Sequence, residues 1–413
     1  MAIDIRILSL LAVCSHCGLA GEFVRCARGE EVLREGVALD ALTVDGPCRV
    51  VVRRAEFRGN RGTAAQGQAL PPSDRRFADH FPAGNGLVVI GAADVVVEDS
   101  AFREIAGFAI LASGVSRIRV ARCTFQDSGS RNAKGRNNTT GGVLFEDGTA
   151  NFLVEDSKFT GILGNGVWTH SRYMHTRNGP GVIRRNTFDT IGRDAVQVGH
   201  AWGVDVVENE MTRVGYPEEV IDVEGGGTPV GVDTAGNVDS SNYSRNTMTE
   251  INGKCFDLDG FHHGTLIGNR CVNKQNHAFG HFGIVMNNTN PDMQSVAIRV
   301  EDNRFEGMQF GGIFVIGSGH TIRRNTLVRL HMAHCSEAQA RPGCTHFDGE
   351  PDLLRTGIYF GKRAERPATT RGNVVEGNTI RGWRMDHKCI GFAPGLHSKD
   401  NRVSGNDCRH EPD

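Results

Sequence analysis

The sequence predicts an all-β fold, a single-stranded right-handed parallel β-helix, or solenoid, with about 11 to 12 coils and projecting loops. A phrase centred on asparagine recurs along most of the chain, and an alternating strand precedes each copy. Of the 413 residues, 53 are glycine, which suits many tight turns between short strands. Because each repeat of a solenoid packs only on its neighbours, a chain of this length can form one domain.

Residues 1–20 are expected to be a signal segment, and residues 21–413 a single β-helix domain with an N-terminal cap at 21–40. The apolar run from Ile7 to Cys14 has the order of a secretory signal, with an ordinary first strand as the alternative. Eleven cysteines favour an oxidising compartment, so we expect a secreted or periplasmic protein. The pairs that can staple a loop are Cys26 with Cys48, Cys335 with Cys344, and Cys389 with Cys408.

Charge and hydropathy exclude two classes of partner. The net charge is −2 and no long lysine or arginine run is present, which argues against a nucleic-acid binder. No segment of about twenty apolar residues exists, so we expect no membrane-spanning helix. No feature indicates a closed oligomer, and we therefore expect a monomer.

The recurring phrase reads apolar, two variable residues, Asn, one further residue, and then an apolar residue or Cys, as in IRRNTF ending at Phe188. The repeated asparagines are Asn186, Asn209, Asn246, Asn269, Asn303, Asn325, Asn378 and Asn406. Their spacings of 23, 37, 23, 34, 22, 53 and 28 share a minimum near 22, which indicates one coil plus insertions. Stacked at the parallel-strand spacing of about 4.8 Å, each buried amide can bond to the next, which predicts an asparagine ladder.

With this repeat the chain resembles the pectate-lyase-like β-helix superfamily over roughly residues 40 to 410. The resemblance implies the fold and a polysaccharide or oligosaccharide partner. It leaves the activity open, because lyases, hydrolases, epimerases and non-catalytic proteins share this fold.

A second strand is predicted before each asparagine phrase. The aligned segments are GVLFE (142–146), GVWTH (166–170), AVQVG (195–199), VIDVE (220–224), CFDLD (255–259), GIVMN (283–287), GIFVI (312–316) and GIYFG (357–361). Alternation sends every second side chain inward, and the predicted core positions include Val143, Phe145, Val167, Thr169, Val196, Val198, Ile221, Val223, Phe256, Leu258, Ile284 and Met286. Projecting loops are expected at 59–85, 171–180, 225–241 and 328–355.

The outward positions of this alignment bring four carboxylates together. Asp222 and Glu224 are expected on one coil and Asp257 and Asp259 on the next, about 5 Å apart along the stack and about 7 Å along each strand. Like charges at that distance raise one another's pKa or recruit a cation. All four are therefore predicted metal ligands, and oxygen ligands favour Ca²⁺.

Titratable and aromatic residues are expected around this square. The candidate catalytic residues are Asp222, Asp257, Asp259, Lys254, His262 and His281. The candidate substrate-binding residues are Trp168, His170, His200, Arg172, Asn287 and Asn288. Each has an ordinary structural alternative, since an outward aspartate is usually solvated and a histidine near a turn is more often a surface residue than a ligand.

Calcium-assisted β-elimination is the first of three candidate functions. Ca²⁺ would bind the carboxylate of a uronic acid, and a base, Lys254 in the first place, would remove the C5 proton. This is the chemistry of calcium-dependent lyases that share the fold, although their basic signature is not found in this sequence.

The second candidate is inverting glycoside hydrolysis, in which an acid and a base stand about 6.5 to 9.5 Å apart, as diagonal Asp222 and Asp259 would. The third is a non-catalytic carbohydrate-binding protein that stacks sugars on Trp168, Phe314 and Tyr359. A transition-metal site of histidines has no HxH or HExxH spacing to support it.

Overall fold

The computed structural model describes residues 21–59, 84–131, 137, 140–171, 176–221, 228–288, 293–335, 355–362, 366–385 and 389–411. In these residues forty strands form three parallel sheets that run the length of a solenoid. Each coil contributes one strand to each sheet, except that one coil contributes both β25 (Lys254–Asp259) and β26 (Phe261–His262) to the first sheet. Thirteen coils are described, slightly more than the sequence indicates. The segment predicted as an N-terminal cap supplies the first coil.

The strands of sheet 1 are β1 (Glu22–Arg25), β4 (Leu42–Asp45), β7 (Leu87–Ile90), β10 (Phe108–Ser113), β13 (Gly141–Glu146), β16 (Asn165–His170), β19 (Val196–Trp202), β22 (Val230–Asp239), β25 (Lys254–Asp259), β26 (Phe261–His262), β29 (Ile284–Asn287), β32 (Ile313–Val315), β35 (Ile358–Phe360) and β38 (Ile390–Phe392).

The strands of sheet 2 are β2 (Glu31–Glu35), β5 (Arg49–Arg53), β8 (Asp94–Glu98), β11 (Ile118–Ala121), β14 (Phe152–Glu155), β17 (Gly181–Arg184), β20 (Val204–Val207), β23 (Asn242–Ser244), β27 (Thr265–Ile267), β30 (Arg299–Glu301), β33 (Thr321–Arg323), β36 (Val374–Glu376) and β39 (Arg402–Ser404).

The strands of sheet 3 are β3 (Ala38–Leu39), β6 (Glu56–Arg58), β9 (Ala101–Arg103), β12 (Thr124–Gln126), β15 (Lys158–Ile162), β18 (Thr187–Ile191), β21 (Glu210–Val214), β24 (Thr247–Ile251), β28 (Arg270–Val272), β31 (Arg304–Glu306), β34 (Thr326–Leu330), β37 (Thr379–Trp383) and β40 (Asp407–Glu411).

The described helical segments are two 3₁₀ turns, Glu218–Val220 and Ser398–Asp400. Across the described ranges, no helix has the length and apolar character that crossing a membrane requires.

The core consists of columns of like side chains. Parallel pairing places each sheet 3 aromatic over the next, so that Phe102, Phe125 and Phe159 stack with ring centroids 5.1 and 4.4 Å apart. Of the predicted inward positions, Val167, Phe256 and Ile284 are among those fully buried. The alternation read from the sequence is therefore confirmed for these strands.

The asparagine ladder is also confirmed. The side-chain amide of Asn209 donates to Asn246 Oδ1 at 3.0 Å and to the carbonyl oxygen of Ile183 at 2.9 Å. The same link is repeated from Asn186 to Asn406, so between these two residues each coil is joined to the next on this corner by asparagine amides. A shorter ladder on another corner runs from His320 through Asn373 to Asn401.

Sheet 2 carries a charge-compensated outer face. Glu155 binds Arg119, Arg184 and Arg185, and the last two of these bonds are 2.7 and 2.9 Å long. Glu301 is surrounded in the same way by arginines of its own and the next coil. Around these two glutamates the charges of the outer face are therefore paired within the protein.

The disulfides agree in part with the predicted pairs. Cys26 bonds to Cys48 and Cys389 bonds to Cys408, as expected. Cys335 is disulfide-bonded, and its expected partner Cys344 lies outside the described residues. Cys255 bonds to Cys271, a pair that the sequence does not predict, and this bond ties β25 of sheet 1 to β28 of sheet 3.

One predicted strand is wrong. Residues 220–224 were aligned with sheet 1, but Glu218–Val220 form a 3₁₀ turn and 222–227 lie outside the described residues. The strand between β19 and β25 is β22, Val230–Asp239, within a segment predicted to be a loop. Ile221 is buried beside the turn rather than within a strand.

Candidate active site

The corrected strand changes the carboxylate that neighbours Asp257. In β22, Val232 and Thr234 point inward and Asp233 points outward, and Asp233 pairs in register with Asp257 of β25. The outward column along sheet 1 reads Trp168, Gln197, Asp233, Asp257, Val285, Phe314 and Tyr359. A short polar stretch is thus enclosed between apolar side chains.

Asp233 and Asp257 are each 8% exposed, so both carboxyl groups are largely shielded from water. Gln197 Nε2 donates to Asp233 Oδ2 at 2.8 Å, and Lys254 Nζ donates to Asp257 Oδ2 at 2.5 Å. Within the described residues, Asp257 Oδ1 has no hydrogen-bond partner. Burial, with the nearby Asp194 and Asp257 carboxylates, holds the pKa of Asp233 well above its ordinary value.

Lys254 and His281 differ from the roles predicted for them. Burial lowers the pKa of Lys254, but the Asp257 carboxylate and its neighbours outweigh that effect and leave the pKa raised. The lysine is therefore an ammonium ion at neutral pH and not the expected free base. His281 packs against Phe282 and Phe310, and burial together with Lys254 lowers its pKa to about 3, so it is neutral.

Asp194 is a third carboxylate in this cluster, and the sequence analysis missed it. It lies just before β19 and is fully buried, with Oδ1 accepting the backbone N–H of Val230 at 2.9 Å. Its Oδ2 lies 3.5 Å from Arg193 Nε. Burial raises the pKa of Asp194 to about 6, with the Arg193 charge opposing the shift.

No described contact joins the other predicted acids to the cluster of Asp194, Asp233 and Asp257. Asp222, Glu224 and Arg172 lie outside the described residues. Asp259 is half-buried and pairs in register with Asn287, at the end of β25 away from Lys254. The predicted square of Asp222, Glu224, Asp257 and Asp259 depended on the wrong strand, because Asp233 holds the position given to Asp222.

His170 and His200 form a separate polar group with Glu146. Glu146 is fully buried, and its Oε1 lies 2.8 Å from His170 Nδ1. The His170 ring contacts the Trp168 ring at 4.8 Å between centroids and lies 6.3 Å from the His200 ring. These three predicted substrate-binding residues are therefore neighbours of one another, one or two coils before Asp233.

The aromatic side chains of the outward column do not form an exposed stacking surface. Trp168 is 7% exposed, Phe314 is 3% exposed and Tyr359 is fully buried. Trp168 packs with Leu144 and Phe108 in a small apolar cluster on the outer face of the sheet. The expectation that these rings stack on sugars is corrected, because a buried face cannot receive a sugar ring.

The described residues do not fit a calcium site. Asp194 and Asp257 each have a buried carboxylate oxygen without a hydrogen-bond partner among described residues, but the Lys254 ammonium lies against Asp257. Three carboxylate oxygens close enough to share an ion are not found within the described ranges. A calcium ion needs six to eight oxygen ligands.

A cavity of about 540 Å³ lies beside the later coils of sheet 1. Arg366 and Arg371 line it, and within the described residues neither arginine has an ion-pair partner. Asn288 and Ser295 also line it, and both are nearly fully buried. Asn288 Oδ1 and Ser295 Oγ have no hydrogen-bond partner in the part of the chain that the structure describes. Asn288, predicted to bind substrate, thus lies in this cavity.

Comparison with known proteins agrees with the geometry. Residues 41–228 match the family model described as the right-handed β-helix region. The fold of the chain is that of a right-handed parallel β-helix. A search of curated protein sequences finds no match.

Several solved β-helix structures are similar in fold. The periplasmic alginate epimerase AlgG, as a double mutant, has a TM-score of 0.57 and 11% identity over 91% of this chain and 78% of its own. A mannuronic acid specific polysaccharide family 6 lyase from human gut microbiota has a TM-score of 0.51 and 13% identity over 95% and 82%. The GH136 lacto-N-biosidase from Eubacterium ramulus has a TM-score of 0.50 and 11% identity over 94% and 63%. At these identities the likeness establishes the fold alone.

The outward position of Asp233 could have been predicted from the sequence that surrounds it. Residues 231–235 read GVDTA, which matches GVWTH at 166–170 more closely than VIDVE does. Asp194 has no such signal, because it lies at a corner outside the alternating strand.

Proposed function

We propose that this chain cleaves glycosidic bonds in a uronate-containing polysaccharide by acid–base catalysis at Asp233 and Asp257. The observation that carries the proposal is the contrast between two neighbouring carboxyl groups. Asp233 favours its protonated form, whereas Asp257 is held beside the Lys254 ammonium. Paired carboxyl groups whose environments separate their protonation states are the usual acid and base of glycoside cleavage.

In this mechanism Asp233 is the general acid. Its proton passes to the glycosidic oxygen as the bond from that oxygen to the anomeric carbon breaks. Gln197 holds one oxygen of the Asp233 carboxyl group at 2.8 Å and fixes its orientation. The 8% of Asp233 that is exposed is the part of the residue that substrate can reach.

Asp257 is the proposed nucleophile. Lys254 binds Oδ2, and Oδ1 has no hydrogen-bond partner within the described residues. Oδ1 is covered in this structure, so the proposal requires that substrate binding uncovers it before it bonds to the anomeric carbon. Water, activated by the deprotonated Asp233, then releases the sugar. Residues paired on neighbouring parallel strands are about 4.8 Å apart, nearer to the separation of about 5 to 5.5 Å in retaining enzymes than to that of inverting ones. The proposed product therefore retains the anomeric configuration.

The cavity supports an acidic sugar as substrate. Arg366 and Arg371 supply positive charge, and no carboxylate of the described residues forms an ion pair with either, which suits a uronate carboxylate. Asn288 and Ser295 can bond to sugar hydroxyl groups. Asn288 follows β29 three residues after Val285, the register neighbour of Asp257, which places it about 10 Å further along the strand.

Calcium-assisted β-elimination remains the second candidate, because the same two arginines suit a uronate and elimination requires one. Two of the similar solved structures are named as an alginate epimerase and a mannuronic acid specific lyase. Elimination also needs a strong base near neutral pH, and Lys254 and His281 do not have suitable protonation behaviour. Asp222 and Glu224 remain candidate calcium ligands.

We also propose that the protein is exported from the cytoplasm, because its cysteines form disulfides. Three disulfides among the described residues favour an oxidising environment, which suits a secreted or periplasmic enzyme acting on an external polymer.

The test is a panel of alginate, pectin and glycosaminoglycan substrates, with released reducing ends and the ultraviolet absorbance of unsaturated uronate both measured. Reducing ends without that absorbance support hydrolysis, and NMR of the first product gives its anomeric configuration. Absorbance that disappears with a chelator supports calcium-assisted elimination instead. Retention of a glycan without turnover would favour a binding protein.

Asp233→Asn and Asp257→Asn are each expected to reduce kcat by at least about a thousandfold, because each removes one of the two reacting groups. Asp302→Asn is the matched control, since Asp302 lies in the turn after β30 of sheet 2 and, within the described residues, its carboxylate binds Arg324. Wild-type rates in both site variants, with correct folding by circular dichroism, would disprove this assignment.

A further inference from the structure

We propose that Asp239, His262 and His263 form a binding site for a divalent transition metal, with Zn²⁺ as the expected ion. The site lies at the far end of β22 and β26, away from Asp233 and Asp257 along the same sheet. It is independent of the proposed glycoside cleavage, because its ligands take no part in that reaction.

Three ligand atoms converge on one point. Asp239 and His262 are register neighbours on adjacent parallel strands, so their side chains leave the sheet in the same direction. Asp239 Oδ1 lies 4.0 Å from His262 Nε2 and 3.8 Å from His263 Nδ1, and all three atoms lie within 4.8 Å of one another. Ligands about 2.0 to 2.1 Å from a tetrahedral Zn²⁺ are about 3.3 Å apart, so small side-chain rotations complete the geometry.

The protonation of His262 already suits a ligand. His262 Nδ1 lies 3.0 Å from the carbonyl oxygen of Gly260, and a carbonyl can only accept a hydrogen bond. The proton of the neutral ring is therefore on Nδ1, and the Nε2 lone pair faces Asp239. Metal-binding histidines are commonly oriented by this kind of backbone hydrogen bond on the other ring nitrogen.

The backbone that carries these ligands is firmly anchored. Phe261, which precedes His262, is fully buried and stacks on Tyr243 with ring centroids 5.1 Å apart. Gly260 has a φ of +68°, and a Cβ there would meet the carbonyl oxygen of Gly236 at 2.2 Å. Only glycine fits this turn, which places His262 beside Asp239 and leaves His263 at the surface.

The ligand set selects the class of metal. Two imidazoles and one carboxylate suit zinc and its transition-metal neighbours better than calcium or magnesium, which prefer oxygen ligands. Three protein ligands leave at least one coordination position open. His262 pairs with Val296, which lines the cavity of Arg366 and Arg371, so the site lies near that cavity without forming part of its lining, and water can complete the coordination.

One cation competes with the metal. Arg177 Nη2 lies 3.9 Å from Asp239 Oδ2, and Arg177 Nη1 donates to Asn237 Oδ1 at 3.2 Å. A metal on Oδ1 would be repelled by the guanidinium group. Replacing Arg177 with a neutral residue is therefore expected to tighten metal binding, which a purely structural role of the cluster does not predict.

The experiment uses the full chain, stripped with a chelator and titrated with Zn²⁺ by calorimetry and with Co²⁺ by its visible absorption. One ion per chain is expected. His262→Ala and Asp239→Asn should each weaken the affinity at least about tenfold, and Arg177→Gln should strengthen it several-fold. His397→Ala, which removes an exposed histidine on another coil, is the control and should leave the affinity unchanged.

Absence of saturable binding, or equal affinity in wild type, His262→Ala and Asp239→Asn, would overturn the assignment. Because binding is measured without substrate, failure of the proposed reaction and failure of the metal site are separate outcomes. A thermal shift of the unstripped protein on adding Zn²⁺, lost in Asp239→Asn, would support the site independently.

Discussion

Each of the three carboxyl groups of the candidate active site is stabilised in a different way. Asp257 accepts a hydrogen bond from Lys254, and Asp233 is shielded and bound by Gln197. Asp194 is buried with the backbone N–H of Val230 and the Arg193 side chain as its partners. A buried carboxyl group with a raised pKa opposes folding above its ordinary pKa, because the unfolded chain releases the proton first.

Asp194→Asn tests this effect at one residue. The pKa of Asp194 is raised to about 6, so the wild type is expected to lose stability as the pH rises from about 4 to about 6, by at most about 3 kcal/mol from this group. Asparagine keeps an acceptor for the Val230 N–H and does not ionise. We expect the variant to be more stable than the wild type above about pH 6, measured by urea unfolding across that range.

The same variant has a second readout. Removing the Asp194 charge lowers the pKa of Asp233, which should move the alkaline limb of kcat/KM to lower pH. An identical pH slope of stability in both proteins would contradict the assignment of a buried, proton-retaining Asp194.

At the scale of a structural element, the asparagine ladder binds consecutive coils together. Asn269 lies in its middle and is 1% exposed, and its Oδ1 accepts both the backbone N–H and the side-chain amide of Asn246. Asn406 makes the same contacts to Asn378 at the last described coil, where it is partly exposed.

Asn269→Ala is therefore expected to cost about 3 kcal/mol of unfolding free energy, because two buried donors of Asn246 lose their acceptor. Asn406→Ala should cost about 1 kcal/mol or less, since water can replace the lost bonds. Denaturant unfolding of both variants measures the difference, and equal effects would show that the ladder contributes little beyond local packing.

The strands show how far the sequence could predict the fold. Asn209 follows Gly199 by ten residues and Asn269 follows Asp259 by ten, and the interval from Ala235 to Asn246 is eleven. This regular interval identifies β22 as the sheet 1 strand of its coil. The alternation of apolar and polar residues does not, because residues 220–224 alternate equally well. The sequence repeat therefore predicts most strands correctly. One strand was predicted in the wrong segment, because a loop before it has the same alternating pattern.

The candidate site was less predictable than the fold. Asp257 and Lys254 follow from their position in a repeated strand, but Asp194 and the cavity arginines do not. Arg366 and Arg371 lie far in sequence from Asn288, and only the stacking of later coils brings them to one cavity. Contacts made by turns depend on the turn conformations, and these do not repeat from coil to coil as the strands do.

For the whole molecule, buried histidines contribute to the response of stability to acid. Burial lowers the pKa of His320 and of His331 to about 4, and that of His281 to about 3. Between about pH 6.5 and pH 4 the unfolded chain binds protons that the folded protein cannot, so stability falls as the pH falls.

His320→Asn isolates one of these contributions. His320 is fully buried, its Nδ1 accepts the backbone N–H of Ile298, and its own N–H donates to Asn373, so it occupies a ladder position that asparagine can fill. We expect near wild-type stability at about pH 7 and up to about 3 kcal/mol less acid destabilisation by pH 4. Urea unfolding at both pH values measures this, with exposed His397→Asn as control. Equal acid sensitivity in both proteins would exclude His320 as a source.

The coil from Asn303 to Asn325 spans 22 residues, the shortest interval in the ladder, and meets its neighbours through backbone pairing on all three sheets. Such a coil is the smallest segment by which the solenoid can grow or shrink. Its gain or loss would lengthen or shorten the protein by about 4.8 Å without altering the cross-section or the chemistry several coils away. Related proteins can therefore differ in the length of their outer surface while keeping the residues of the candidate site in the same arrangement.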